Sequence, residues 1–321
     1  MKSFVTHEEL ARDSRFVRQD NVLATMLSQL PDDAEAVVQC FEQLDPMVAR
    51  AVSGTAAEPL YDEYGAAFML IVLNEALDPE DPAIATRLLM RMHGIFIGEL
   101  QALEGAGRSL WDFPDAPWEF KMNMARQCWD EARHVQIYEK LLERLGGSPG
   151  MFPETTFLFE CACNDDPAMR VAGVNRGLEG LACDVFRDMI RYADKVGDEV
   201  MRQAVDYVLA DELTHVRFGS EWVREFTKGD PERYERVQDF RRQVDKQFSF
   251  GGSRSERDDA AIPIARAERK EAGFSDEEID ELATLSASGP SRETMREAAR
   301  IIRERHSARR LAASQQMEPR A

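Results

Sequence analysis

The chain has 321 residues, 44% of them hydrophobic, and a formal net charge of −19. Length and apolar content suit a large globular domain with extensions, or two small domains, and exclude a disordered chain. The acidity argues against non-specific binding to nucleic acid or to anionic membranes, since both need a concentrated positive field.

Five cysteines, Cys40, Cys128, Cys161, Cys163 and Cys183, are odd in number and lack the spacing of a secreted disulfide framework. They point to reduced thiols and a cytoplasmic chain. Cys161-Ala-Cys163 has no second pair or nearby His and reads as ordinary thiols. His, Glu and Arg run through Met1 to Asp20, so no signal peptide is expected, and no later segment has the apolar run of a membrane span.

From Thr6 to about Leu44 the pattern predicts short accessory helices, with stops at Pro31-Asp32-Asp33 and at Asp45-Pro46. A loop at Ser53-Gly54-Thr55 precedes Tyr61 to Leu77, an apolar segment too long for a typical strand and read as one buried or interface helix. Asp81-Pro82 then opens a long helix through Leu88, Met92, Phe96, Glu99 and Leu103. Ser109 to Pro117 reads as a turn.

The next helix spans about Pro117 to Leu145, with Phe120, Met124, Glu131, His134, Tyr138 and Leu141 along one face. Gly146-Gly147-Ser148-Pro149-Gly150 ends it, and a crossover of about twenty residues follows, holding a short helix near Thr156 to Cys161. A third long helix starts at Pro167 and passes through Leu178, Glu179 and Phe186. Gly197-Asp198 turns the chain into a fourth, from about Glu199 to Phe226. No run of period-two strands is evident.

Four long helices joined short, long, short have the connectivity of a ferritin-like four-helix bundle with one long crossover. The expected fold class is therefore all-α, with accessory N- and C-terminal helices. The expected division is residues 1–58, a bundle at 59–228, and a C-terminal extension at 229–321. The extension contains a mostly polar helix at about Glu232 to Gln247, a linker at Phe248 to Arg257, a helix start at Ser275, and an Arg-rich stretch from Arg292 to Arg310. That stretch suits a solvated helix or contact with an acidic surface, and Ala312 to Ala321 reads as a disordered tail.

Asp130-Glu131-Ala132-Arg133-His134 reappears as Asp211-Glu212-Leu213-Thr214-His215. Residues three apart share a helix face, so Glu and His of each copy can reach one ion. Glu99 precedes Glu131 by 32 residues, and Glu179 precedes Glu212 by 33. This spacing selects Glu99 over Glu104. A carboxylate on an apolar stripe is costly unless paired or metal-bound. Glu99, Glu131, His134, Glu179, Glu212 and His215 thus fit a pair of carboxylate-bridged metals, for which hard carboxylates and imidazoles favour iron or manganese.

Asp130 and Asp211 are expected to accept a hydrogen bond from a ligand His, the one on the facing helix, because such acids fix imidazole tautomer and orientation. Gly98, Gly177 and Gly180 beside the glutamates leave room for a π-bulge or a close helix approach. His7, His93 and His306 lack this context.

Gly98-Glu99-Leu100-Gln101, Leu178-Glu179-Gly180-Leu181 and the two Asp-Glu-x-x-His copies resemble the ferritin-like family of domain of unknown function 455, related to the tRNA-modifying di-iron hydroxylases. The similarity covers roughly Pro59 to Phe226. It implies a di-iron bundle with the six residues above as ligands, but it fixes no substrate.

The leading expectation is a non-haem di-iron oxygenase that activates O2 as cosubstrate and oxidises a C–H bond or an amine nitrogen of a small molecule. Two Fe ions are expected, with Fe/Mn and Mn/Mn pairs as alternatives. Trp129, Phe96, Met124, Phe186 and Tyr138 are candidate pocket residues. With no Gly-x-Gly-x-x-Gly after a strand, electrons must come from an external ferredoxin or reductase. The alternatives are a ferroxidase, a manganese catalase, or a non-enzymatic helical scaffold. A homodimer stays open.

Overall fold

The computed structural model describes residues 29–74, 76–154, 156–249, 254–256, 260, 262–287 and 289–317. The part of the predicted N-terminal helices before residue 29 lies outside them. Helices make up most of the described residues, which makes the chain all-α. In order it forms α1 (Ala34–Val52), α2 (Glu58–Tyr64), α3 (Ala67–Asn74), α4 (Ile84–Asp112), α5 (Trp118–Arg144), α6 (Phe157–Ala162) and α7 (Pro167–Val171). A π-helical segment, Ala172–Leu178, leads into α8 (Glu179–Val196), followed by α9 (Glu199–Phe226) and α10 (Pro231–Gln247). Two short strands, β1 (Arg254–Ser255) and β2 (Ile262–Pro263), pair in parallel before α11 (Arg266–Glu271), α12 (Asp276–Ala287) and α13 (Arg292–Met317).

Local chemistry sets the main helix starts. The Asp166 carboxylate accepts from the Ala168 and Met169 N–H groups, ahead of Pro167 in the first turn. Asp198 caps α9 through Met201 N–H, after Gly197 ends α8 in the left-handed conformation. Asp230 caps α10 through Arg233 N–H.

The most extensive helix pairings are α4 with α5 and α8 with α9. These four helices share an apolar core that includes Leu88, Met92 and Phe96 on α4, Tyr138 and Leu141 on α5, Cys183 and Phe186 on α8, and Val205 and Val208 on α9. A second cluster, with Phe120 and Met124 on α5, Val171 on α7 and Trp222 and Val223 on α9, lies on the other side of the Glu131 turn. The polar middle of the helices is therefore bounded by apolar packing along their length.

Four boundaries differ from the sequence expectation. Pro46 lies inside α1 instead of ending it. The stretch Tyr61 to Leu77 is broken into α2 and α3 at Gly65, whose φ of 60° permits a close approach by His306; an added Cβ would lie 2.9 Å from that ring. Helix α4 runs on to Asp112, so the turn shrinks to the residues before Trp118; Ser109 Oγ donates to Gly105 O, and Arg108 Nε donates to Asp112 within the added turns. The tail expected to be disordered is helical as far as Met317, and residues beyond it lie outside those described.

Helix α13 packs on α1, α2 and α3, with Met295, Ala298 and Ile302 buried among Val37, Phe41, Val48 and Phe68. The Arg-rich face meets the chain's own acids: Arg305 pairs with Glu35 and Glu42, Arg309 with Glu42, and Arg303 with Glu63. Such half-exposed pairs are screened by solvent, so the buried apolar seam holds this layer. Among the described residues no helix is long and apolar enough to cross a membrane.

Candidate metal centre

The six predicted ligands converge in the middle of the four long helices. Glu99 comes from α4, Glu131 and His134 from α5, Glu179 from the first position of α8, and Glu212 and His215 from α9. Glu131, His134, Glu212 and His215 are fully inaccessible, while Glu99 and Glu179 are almost so. Glu104, the rejected alternative to Glu99, is exposed.

Donor atoms of Glu99, Glu131, His134 and Glu212 lie within 4.8 Å of one another, as do those of Glu131, Glu179, Glu212 and His215. Glu131 and Glu212 belong to both groups. Their two oxygens divide between the histidines: His134 Nδ1 is 3.0 Å from Glu131 Oε2 and 3.2 Å from Glu212 Oε1, and His215 Nδ1 is 3.1 Å from Glu131 Oε1 and 3.4 Å from Glu212 Oε2. Glu99 Oε2 completes the first group, 3.4 Å from His134 Nδ1.

Both imidazoles turn Nδ1 inward and Nε2 towards an acid on the facing helix. His134 Nε2 is 3.3 Å from Asp211 Oδ2, and His215 Nε2 is 3.3 Å from Asp130 Oδ2. A proton on Nε2 in this contact leaves Nδ1 as a lone-pair donor. Arg126 Nε donates to Asp130 at 2.6 Å, and Arg133 donates to Asp130 and, at 3.1 Å, to Asp211. One guanidinium thus couples the two acids and, through Tyr207, reaches the surface.

The charge balance follows from this crowding. Burial pushes the Glu99 and Glu179 carboxyls well above the carboxylate range, and the Glu212 and Glu131 charges reinforce it. Burial would also raise Glu131 and Glu212, yet the two histidines hold Glu131 below its ordinary range, and Glu179 together with the two histidines does the same for Glu212. For the histidines, burial disfavours the cation, but the surrounding carboxylates outweigh it and raise both. Asp130, despite burial, is held at about 2 by His215 and Arg126.

The donor set fits a pair of cations on its own geometry. Both oxygens of Glu212 and Nδ1 of His215 are buried, and their close contacts with the other donors lack the alignment of a hydrogen bond. Such groups are expensive to leave unsatisfied, and here they point into a space bounded by other carboxylates. The donors are oxygen and imidazole nitrogen without sulfur, a set that suits hard to borderline cations rather than soft, thiolate-seeking ones.

Other residues here were not singled out in the sequence. Gln127 Nε2 donates to Glu179 Oε1 at 2.8 Å and to Glu131 Oε1 at 3.3 Å, and its own Oε1 accepts from Asn175 Nδ2 at 2.7 Å. Gln127, Arg126 and Arg133 each sit three or four residues from a motif acid, the helical neighbour spacing that could have flagged them. Trp129, weighed as pocket lining, is 66% exposed and lies on the outer face of α5. Phe96, Met124, Phe186 and Tyr138 are buried, and the Tyr138 ring stacks on Phe186 at 5.6 Å between centroids.

The two upstream glutamates arrive differently. Glu99 sits inside the continuous helix α4, whereas Glu179 N–H donates to Val174 O, the five-residue bond that closes the π-helical segment. This segment is tightly enclosed: a Cβ on Gly177 would lie 2.6 Å from Val244 Cγ1, and one on Gly219 of α9 would lie 2.5 Å from Asn175 Cβ.

The family described as "Protein of unknown function (DUF455)" matches residues 67–280. No curated protein and no solved structure matches the chain.

Proposed function

Because the chain belongs to this family of proteins of unknown function, DUF455, we propose its function from the site itself: a non-haem di-iron oxygenase acting on a small molecule. The observation that carries the reading is that Glu131 and Glu212 each belong to both four-residue donor groups, so that each could serve two ions at once. In this reading α4, α5, α7–α8 and α9 form a ferritin-like bundle, with residues 145–166 as its long crossover.

Glu99 and His134 would complete one ion's protein donors, and Glu179 and His215 the other's. When bound as ferrous ions, the pair supplies electrons to O2 for oxidation of a C–H bond or an amine nitrogen. The chain's own contribution is positional. Asp211 and Asp130 hold the Nε2 protons of His134 and His215, so that both Nδ1 atoms face the bridging carboxylates. Gln127 fixes Glu179, and the apolar clusters beyond Met124 and Tyr138 exclude water. Four glutamates offset two divalent charges, which suits a buried place. Turnover requires an external ferredoxin or reductase.

The test is anaerobic iron loading followed by O2 exposure with and without candidate small molecules. The reading expects two irons per chain and O2 consumption coupled to an oxidised product. Rapid peroxide consumption without substrate, or iron stored far beyond two per chain, would overturn it in favour of a peroxide-consuming or metal-storing protein.

A further inference from the structure

Outside the candidate centre, a set of buried charges ties Arg254 and α11 to α8. Asp184, Arg254 and Arg269 are all within 1% of complete burial. Arg269 Nε donates to Asp184 Oδ1 at 2.9 Å, and its Nη2 donates to Asp184 Oδ2 at 2.8 Å. Arg254 donates to the same Oδ2 from Nε at 3.2 Å and from Nη2 at 2.7 Å, while Ala265 N–H donates to Oδ1 at 2.9 Å.

The same guanidinium touches the backbone beside a predicted ligand. Arg269 Nη2 donates to the carbonyl of Gly180, the residue after Glu179, at 2.6 Å. Gly180 permits this approach, since an added Cβ would lie 3.1 Å from Arg269 Nη1. On the other side of Glu179, Arg176 forms a two-pronged pair with Glu278, both bonds 2.9 Å. The Phe274 ring lies under both arginines, 4.2 Å from Arg176 Cζ and 5.0 Å from Arg269 Cζ.

We propose that Arg254 together with the segment from Ala265 to Glu278 is a clasp that fixes the turn presenting Glu179, with Arg269 as its positioning residue; this rests on the metal reading above. A π-turn replaces four-residue hydrogen bonds with five-residue ones and is less favourable than uninterrupted α-helix, so neighbouring contacts must hold it. The clasp meets the chain three residues before Glu179, one after it and five after it. Among the described residues, Glu99, in the half without a π-turn, has no buried arginine on the residue that follows it; Gly98 beside it faces the apolar Leu158.

Stability alone explains this choice of residues poorly. Burying two arginines against one aspartate leaves Nη1 of Arg254 and of Arg269 without partners, and apolar residues of similar volume would hold a surface at least as well. What a guanidinium adds is direction: its fixed fork ties a carbonyl and a carboxylate one turn apart to a single plane. The family match, which extends to residue 280, takes in the whole clasp.

The test uses the full chain carrying Arg269→Lys, with Glu278→Gln as the milder variant should the first fail to fold. Backbone hydrogen exchange on the metal-free protein reads the turn, and iron titration reads the centre. The clasp predicts exchange faster by about tenfold or more at the amides of residues 176–184, with the other long helices unchanged. It also predicts selective weakening, by about 10–100-fold, of one of the two ions, giving the one-iron spectrum of Glu179→Ala.

Unchanged exchange overturns the clasp. Faster exchange with both ions held at wild-type affinity overturns the positioning role. If the unmodified protein binds no iron, the metal reading fails, and the positioning role with it. Exchange still decides in that case whether the clasp grips the turn.

Discussion

The two halves of the doubled motif present the same donor side chains through different backbones. In the first, α4 carries Glu99 in an unbroken helix against α5, and Gly98 beside it faces the apolar Leu158. In the second, Glu179 follows a π-helical segment enclosed by Val244 and Gly219 and flanked by Arg176, Arg269 and Asp184. Equal spacing of ligands in a sequence therefore does not require equal local structure. The second half reaches its place with contacts from residues far along the chain.

The largest break in this comparison comes from the residues common to both halves. Glu131→Ala or Glu212→Ala removes a carboxylate shared by both donor groups, so elemental analysis after anaerobic loading should fall from two irons per chain to near none. Retention of both irons in either variant would remove the bridging assignment.

Next in size is the clasp's central charge. Asp184→Ala leaves Arg254 and Arg269 buried without their carboxylate and should cost about 3–5 kcal/mol in denaturant unfolding. The direction with pH follows from the same contacts. Burial opposes the Asp184 charge, but Arg269 and Arg254 outweigh it and place the folded group below its ordinary 3.8. Its contribution is therefore complete above that value and is lost as the pH falls towards the depressed folded one. Asp184→Asn should flatten this acid limb of the stability curve, and an unchanged limb would assign the acid sensitivity elsewhere.

Smaller effects sharpen the comparison. Glu99→Ala and Glu179→Ala should each leave one ion, with different spectra, because each residue belongs to only one donor group. Asp130→Asn and Asp211→Asn should weaken metal binding by about 10–100-fold, through loss of imidazole orientation rather than loss of a ligand. Equal metal affinity in these variants, measured by competition with a chelator, would show that Arg126 and Arg133 hold the acids for another purpose.

The helices and the convergence of the candidate donors were legible because each rests on local rules. Asp166 and Asp198 before the long helices are side-chain caps, and the Glu-x-x-His spacing places two donors on one helix face. What stayed illegible was set by distant contacts. Nothing near Gly65 announces that His306 packs on it, and nothing near Pro46 shows that α1 passes through it. The glycines around Glu179 hinted at a π-bulge, but the Arg269 contact that accompanies it joins positions 89 residues apart. Helical periodicity carries no information over that distance. The Arg-rich C-terminal stretch likewise read as solvated, because its acidic partners on α1 and α2 lie far back in the chain.

The central claim is that Glu131 and Glu212 bridge two ions held between four helices. Anomalous diffraction from crystals of the iron-loaded protein tests it most directly. The expected map has two iron peaks, both contacted by Glu131 and Glu212, with His134 and Glu99 on one and His215 and Glu179 on the other, and with Nδ1 as the donor of each imidazole. A single peak, no peak, or coordination through Nε2 would contradict it.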